Sequence, residues 1–250
     1  MAPLYTTKST STLSLPEKLG LGHTFVFVGL GILMAYVDKT WFEEVYTRED
    51  GFIEWLTILP LVVVIGFFLT RIRMPFSPRF SISSLLIVSL SFFVMGEEIS
   101  WGQRIFQRES SDFFQQHNAQ GETNLHNLVV RGVKINKVIF SQVLTVMIAF
   151  YLLVFPTLYR KSETIRTLVN RWSVPVPRLY QVVSMVLLFA AMSLCPSGKR
   201  AELLEMGATT LFSLMVLYPY NPLKSAHKAE EYPAPTAHSS TRTEAKVVSD

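Results

Sequence analysis

The chain has 250 residues, of which 49% are hydrophobic and only 17% charged, with a mean hydropathy of +0.31. A soluble domain is typically about one-quarter charged, so this composition excludes a disordered chain and a nucleic-acid binder with a long basic stripe. It also points away from an ordinary soluble enzyme. The net charge of +4 reads as loop charge that orients a membrane protein, with no nucleic-acid partner expected.

The apolar residues are gathered into runs approaching the ~20 residues that a bilayer core demands of a helix. Residues 1–20 form a polar, Ser/Thr-rich N-terminal segment. The first run, Leu21 to Val37, is followed by Asp38, Lys39 and Trp41 rather than a small-residue cleavage site. An uncleaved transmembrane helix is therefore predicted. A second span runs from about Phe52 to Thr70, with Pro60 expected to kink it, and a third from about Ser81 to Gly96. The fourth, fifth and sixth are predicted near Val138–Leu158, Leu179–Cys195 and Leu203–Tyr220. Residues 221–250, with Pro222, Pro233 and Pro235, read as a disordered tail. The expected fold is an all-α integral membrane bundle of about six transmembrane helices over residues 21–220, with a polar outer loop at 97–137.

Basic residues near the span ends set the orientation. With the N-terminus inside, the inner segments carry 14 Lys and Arg against 6 Asp and Glu, and the remainder carries 9 against 13. Both termini are expected in the cytoplasm. Arg71, Arg73 and Arg79, and then Arg160 to Arg178, mark the inner side.

That topology brings the unusual ionisable residues to the outer boundary. Glu54 opens the second span, Glu97 and Glu98 end the third, Glu122 and His126 precede the fourth, and Glu202 and Glu205 open the sixth. Ionisable groups at bilayer depth cost a few kcal/mol or more and need partners or a task. In Gly96-Glu97-Glu98-Ile99-Ser100-Trp101-Gly102-Gln103-Arg104 a continuing helix would place Glu97, Trp101 and Arg104 on one face. Glu98 would lie about 100° round, so that one carboxylate pairs with Arg104 while the other faces the bundle. Adjacent carboxylates suit general acid or base work, which makes Glu97, Glu98 and Arg104 the catalytic candidates. The alternative is an interfacial anchor: Trp101 in the aromatic belt and both acids solvated.

The second polar stretch is Asn118-Ala119-Gln120-Gly121-Glu122-Thr123-Asn124-Leu125-His126-Asn127. On a helix, Glu122 and His126 share a face at i, i+4 and can present a carboxylate and an imidazole to one metal ion. Glu98, Glu122 and His126 are the metal-ligand candidates, for a divalent ion of unspecified identity. Asn124 and Asn127 are placed to hydrogen-bond the ring and fix its tautomer. The competing reading is a capped loop with Gly121 as its turn. Glu202 and Glu205 share a helix face at i, i+3 and either extend the acidic inventory or complement a helix dipole. Glu54, Trp101 and Gln103 complete the supporting set. His117 is a reserve ligand and His23 an interfacial residue. The single cysteine, Cys195, excludes an intrachain disulfide and a multi-cysteine zinc site.

The paired motifs Glu97-Glu98-Ile99-Ser100-Trp101-Gly102-Gln103-Arg104 and Asn124-Leu125-His126-Asn127 resemble a signature of bacterial multi-pass membrane proteins without an assigned activity. That resemblance covers about residues 20–215 and implies a multi-pass protein of the bacterial inner membrane. A weaker similarity links Glu122-Thr123-Asn124-Leu125-His126 to the membrane hydrolase superfamily of alkaline ceramidases and progestin-type receptors. That family has seven helices and a three-histidine zinc site, whereas six spans are predicted here.

Three functions are consistent with these residues. The first is a metal-dependent membrane enzyme, with Arg104 holding an anionic group of a lipid or lipid-like substrate. The second is a transporter using the acids as a cation or proton site. The third is a scaffold or assembly factor whose polar patch docks an unidentified protein.

Overall fold

The computed structural model describes residues 12–49, 51–72, 78–125, 127–130, 132–134 and 142–221. It is helical apart from a minimal hairpin in which β1 (Val129–Val130) pairs antiparallel with β2 (Val133–Lys134). Among the described residues four helices are long and apolar enough to cross a membrane: α1 (Leu15–Val37), α3 (Phe52–Ile72), α4 (Pro78–Glu98) and the run Leu144–Lys161. The last consists of α6 (Leu144–Ala149), a π-helical turn over Phe150–Val154 and α7 (Phe155–Lys161). α3 continues through Pro60 without a break in its helical assignment.

α3 and α4 start within three residues of their expected positions, and the expected start of the fourth span at Val138 lies outside the described residues. α1 begins earlier than its apolar run because Pro16 sits in its first turn and Glu17 reaches back to Ser14, accepting from its N–H at 2.9 Å and its hydroxyl at 2.6 Å. This is the reciprocal arrangement that satisfies orphan helix donors. α1 is followed by α2 (Lys39–Trp41), capped by Asp38, and a π-helical turn over Phe42–Tyr46, and the short α5 (Asp112–His117) lies in the loop after α4.

The expected fifth span is α9 (Leu179–Met192), 14 residues long. At 1.5 Å per residue it extends about 21 Å, short of a ~30 Å hydrocarbon core. The expected sixth is α10 (Arg200–Leu217), which carries Arg200, Glu202 and Glu205 in its first two turns. α10 is the axis of the bundle, packed against α1, α3 and α9. Leu203, Met206, Leu211 and Met215 are fully buried, with Val28 of α1 and Met185 and Leu188 of α9 in the same cluster. Two glycines permit this approach: a Cβ at Gly31 would stand 2.8 Å from Leu203, and one at Gly207 2.8 Å from Leu188. Such small-residue contacts let membrane helices pack closely.

The outer faces remain strongly apolar. Val26, Leu30 and Leu33 of α1, and Val146, Met147 and Leu153 of the 144–161 run, are all exposed, as lipid-facing positions are. A short helix not foreseen in the sequence, α8 (Glu163–Trp172), packs on α7 and α4. It is capped by the Ser162 hydroxyl.

One end of the bundle is tied by a polar knot. Glu17 accepts from Arg178 Nη1 at 3.0 Å and from the Tyr180 hydroxyl at 2.6 Å. The buried Gln181 donates to the Leu214 carbonyl at 2.9 Å and accepts from the Arg178 N–H at 2.8 Å. α1, α9 and α10 are thereby joined at the end opposite Glu98.

Candidate functional site

The helix of α4 stops at Glu98, and a single 3-10 turn over Ser100–Gly102 follows. Three consecutive residues there, Ser100 (φ 47), Trp101 (φ 55) and Gly102 (φ 76), are left-handed. Two of them are not glycine, and such positions cost on the order of 1–3 kcal/mol each. The expectation that Glu97, Trp101 and Arg104 share a continuing helical face is thus corrected: the backbone reverses hand between them. Trp101 nevertheless folds back on Glu97, donating Nε1–H to Oε1 at 2.9 Å. Its ring meets Phe92 and Phe93 edge-on, with centroids 6.0 Å away in both cases.

The turn is held by the second motif. Glu97 Oε2 accepts from the Leu125 N–H at 2.7 Å. Ser100 donates its hydroxyl to Glu122 Oε2 at 2.7 Å, and Asn124 Nδ2 donates to both Ser100 Oγ and Glu122 Oε2 at 2.9 Å. Arg104 forms an ion pair with Glu122 and lies 3.8 Å from Glu49. Gln103 Oε1 accepts from the Thr123 N–H at 2.7 Å and from the Ser110 hydroxyl at 2.9 Å. Asn118 donates to Asn124 Oδ1 at 2.9 Å, while its own Oδ1 accepts from the Gln120 and Glu122 N–H groups. Asn127 Nδ2 donates to Gln120 Oε1, and its N–H donates to Asn124 Oδ1 at 3.1 Å. Glu97, Ser100, Asn118, Glu122 and Asn124 are all buried. Buried polar groups of this density persist only when mutually satisfied.

The two polar motifs therefore meet in space. Residues 122–125 are not helical, so the expected helical spacing of Glu122 and His126 does not arise, and His126 itself lies outside the described residues. The stretch forms a looped structure around Gly121 (φ 69), as its density of Asn, Gln and Gly favours. His117 is turned aside, bonded to the Phe113 carbonyl at 2.9 Å and stacked on the Phe113 ring.

Glu98 takes a different direction from Glu97. It lies within electrostatic reach of Glu54 on α3 and Glu202 on α10. Glu205, one turn further along α10, is in reach of Glu98, Glu202 and Glu54. Three helices thus bring four half-buried carboxylates together, and Lys199 stands beside Glu202. Glu98 thus turns towards α3 and α10. Arg104 pairs with Glu122 of the second motif. Among the described residues, no three His, Cys, Asp or Glu side chains are grouped so as to hold a metal ion.

Deeper in the bundle, His23 faces α10 rather than the membrane boundary. It shares a 3.2 Å hydrogen bond with the Thr210 hydroxyl, and Phe27 contacts its ring edge-on. Among the described residues its buried Nε2 has no hydrogen-bond partner, nor have the buried hydroxyls of Ser84 and Ser91 on α4. Ser84, Ser91 and Glu98 repeat every seven residues, which places them on one stripe of α4. Sequence reasoning left out Asn118, Gln120, Thr123 and Ser110 as named site residues; the signal for the first three was the density of hydrogen-bonding side chains in 118–127, and Ser110 lies outside that stretch. The chain matches no family model, no curated protein and no solved structure, so its fold and site are read from its own residues.

Proposed function

We propose that this chain is a multi-pass inner-membrane protein that takes up protons at the Glu54, Glu98, Glu202 and Glu205 cluster, as part of a transport function. The supporting observation is the convergence of these four carboxylates from α3, α4 and α10. Groups so placed repel one another, and shared protons relieve that repulsion. The excess of basic residues at the Glu17 end supports a cytoplasmic position for that end and an outer one for the cluster.

The interior beyond the cluster is not purely apolar. His23, Thr210, Ser84 and Ser91 carry polar groups into the middle of the bundle, and Glu17, Arg178 and Tyr180 stand at its far end. Chains of such groups mark proton and ion pathways in membrane proteins. A metal-dependent lipid enzyme is the weaker reading. A divalent ion on Glu98, Glu122 and His126 would have to draw Glu122 away from Arg104, Ser100 and Asn124.

Reconstitution into liposomes with an internal pH dye tests this reading. Under an imposed membrane potential the native chain should acidify or alkalinise the lumen, and Glu98→Gln should abolish the flux. Absence of flux from the native chain would overturn it.

A further inference from the structure

At the end of the bundle opposite the carboxylates, a cleft of about 460 Å³ opens between α3, α10 and the start of α9. Its walls are Val63, Phe67 and Leu217, and its rim carries Arg71 and Arg178. Val63 is 52% exposed, so the apolar wall opens towards the lipid side of α3. Arg71 is in the last turn of α3, and Arg178 immediately precedes α9. Both guanidiniums therefore sit at a helix end, where a membrane helix passes from hydrocarbon to headgroups.

We infer that this cleft binds one anionic phospholipid, with its phosphate between Arg71 and Arg178 and an acyl chain along Val63, Phe67 and Leu217. The inference is independent of the carboxylate cluster. Three features of the two arginines support it. The Arg71 guanidinium is stacked on Phe67, its Cζ 4.2 Å from the ring centroid. Stacking uses the flat face of the group and leaves its in-plane N–H donors available for a planar pair of oxygens. Among the described residues no carboxylate pairs with Arg71.

Arg178 is anchored at two points, Nη1 on Glu17 and Nε–H on the Pro219 carbonyl at 3.3 Å. A guanidinium has five N–H donors, so donors remain for a ligand while the side chain is held in place. The charge balance also fits. Glu17 offsets one of the two arginines and is itself buried, leaving one positive charge at the cleft for one phosphodiester. Basic pockets between helices on the cytoplasmic side are suited to anionic headgroups, and the apolar wall selects a lipid over a free phosphate.

The test uses the full chain in a neutral detergent with three separate probes: phosphatidylglycerol, phosphatidylcholine and inorganic phosphate. Retained lipid is counted by native mass spectrometry, and Tm is followed in parallel. One phosphatidylglycerol per chain should be retained and should raise Tm, with neither effect from phosphatidylcholine. Arg71→Gln should weaken retention about tenfold or more, the loss expected for a charge-assisted hydrogen bond. Val63→Trp alters an exposed position and fills the apolar wall, and it should weaken retention with the fold intact. Equal retention of phosphatidylglycerol by native and Arg71→Gln chains would overturn the site. Stabilisation by inorganic phosphate equal to that by the lipid would overturn the lipid as its occupant.

Discussion

Ser100 and Glu122 are joined by a 2.7 Å hydroxyl–carboxylate hydrogen bond across 22 positions of sequence. Ser100 is left-handed at φ 47, and the bond compensates for holding it there. The same carboxylate also receives Asn124 and pairs with Arg104. Glu122 is thus the point at which the end of α4 is fastened to the loop that follows it.

Removal of that fastening should be felt as lost stability. Glu122→Ala leaves Ser100, Asn124 and Arg104 without their shared acceptor. Glu122 is buried but Arg104 is about one-third exposed, so solvent screens part of the ion pair. A loss of about 2–3 kcal/mol is expected. Glu122→Gln keeps an acceptor oxygen for Ser100 and should lose only about 1 kcal/mol. Thermal unfolding in detergent, with limited proteolysis of residues 103–130, separates the two. Equal behaviour of the two variants would remove Glu122 as the fastening point.

Gly96 makes a second, sharper prediction. A Cβ there would stand 2.8 Å from the Trp101 ring. The ring cannot swing away freely, because Glu97 holds its Nε1 and Phe92 and Phe93 flank it. Gly96→Ala should therefore cost about 1–3 kcal/mol by overpacking and shift the tryptophan emission. Gly66→Ala, where nothing lies within 4 Å, is the matched control and should leave both readouts unchanged.

The long apolar helices were legible in the sequence because span length and hydropathy are local properties. α1, α3 and α4 differ from expectation only at their ends, where Pro16, Ser14 and Glu17 extend α1 by capping chemistry rather than by apolarity. The two polar motifs were legible as dense runs of hydrogen-bonding residues. Their pairing was not, because Ser100–Glu122 and Glu97–Leu125 are tertiary contacts without a periodic signature. The helix break after Glu98 was hidden for a related reason. Ser100 and Trp101 have no intrinsic preference for the left-handed region, and only their distant partners hold them in it. The different directions of Glu97 and Glu98 follow instead from the roughly 100° between successive residues of α4.

Orientation can be tested with the one cysteine. Cys195 is buried, and Cys195→Ala provides a background free of thiols. In that background a cysteine is placed at Gln116 in the loop after α4 or at Lys161 at the other end, both exposed. An impermeant maleimide added to intact cells should label Gln116→Cys at once and Lys161→Cys only after permeabilisation. The reverse pattern would invert the topology and place the carboxylate cluster in the cytoplasm.

Tyr46 gives a pH-dependent prediction outside the spans. Its hydroxyl donates to the Phe27 carbonyl at 2.8 Å, fastening the π-helical turn to α1. Burial raises its pKa from 10.0 to about 12, because the phenolate would lose its water. A raised pKa means that the folded state favours the protonated phenol. The associated stability is fully present below pH 10.0 and is lost as pH rises from there through about 12. Tyr46→Phe should lower Tm at neutral pH by the loss of one hydrogen bond, about 1 kcal/mol. It should also flatten the alkaline fall, so that the native and variant curves converge near the upper end of that range. Parallel curves across the whole interval would mean that Tyr46 titrates alike in the folded and unfolded chains, and that its contact with α1 does not exclude water.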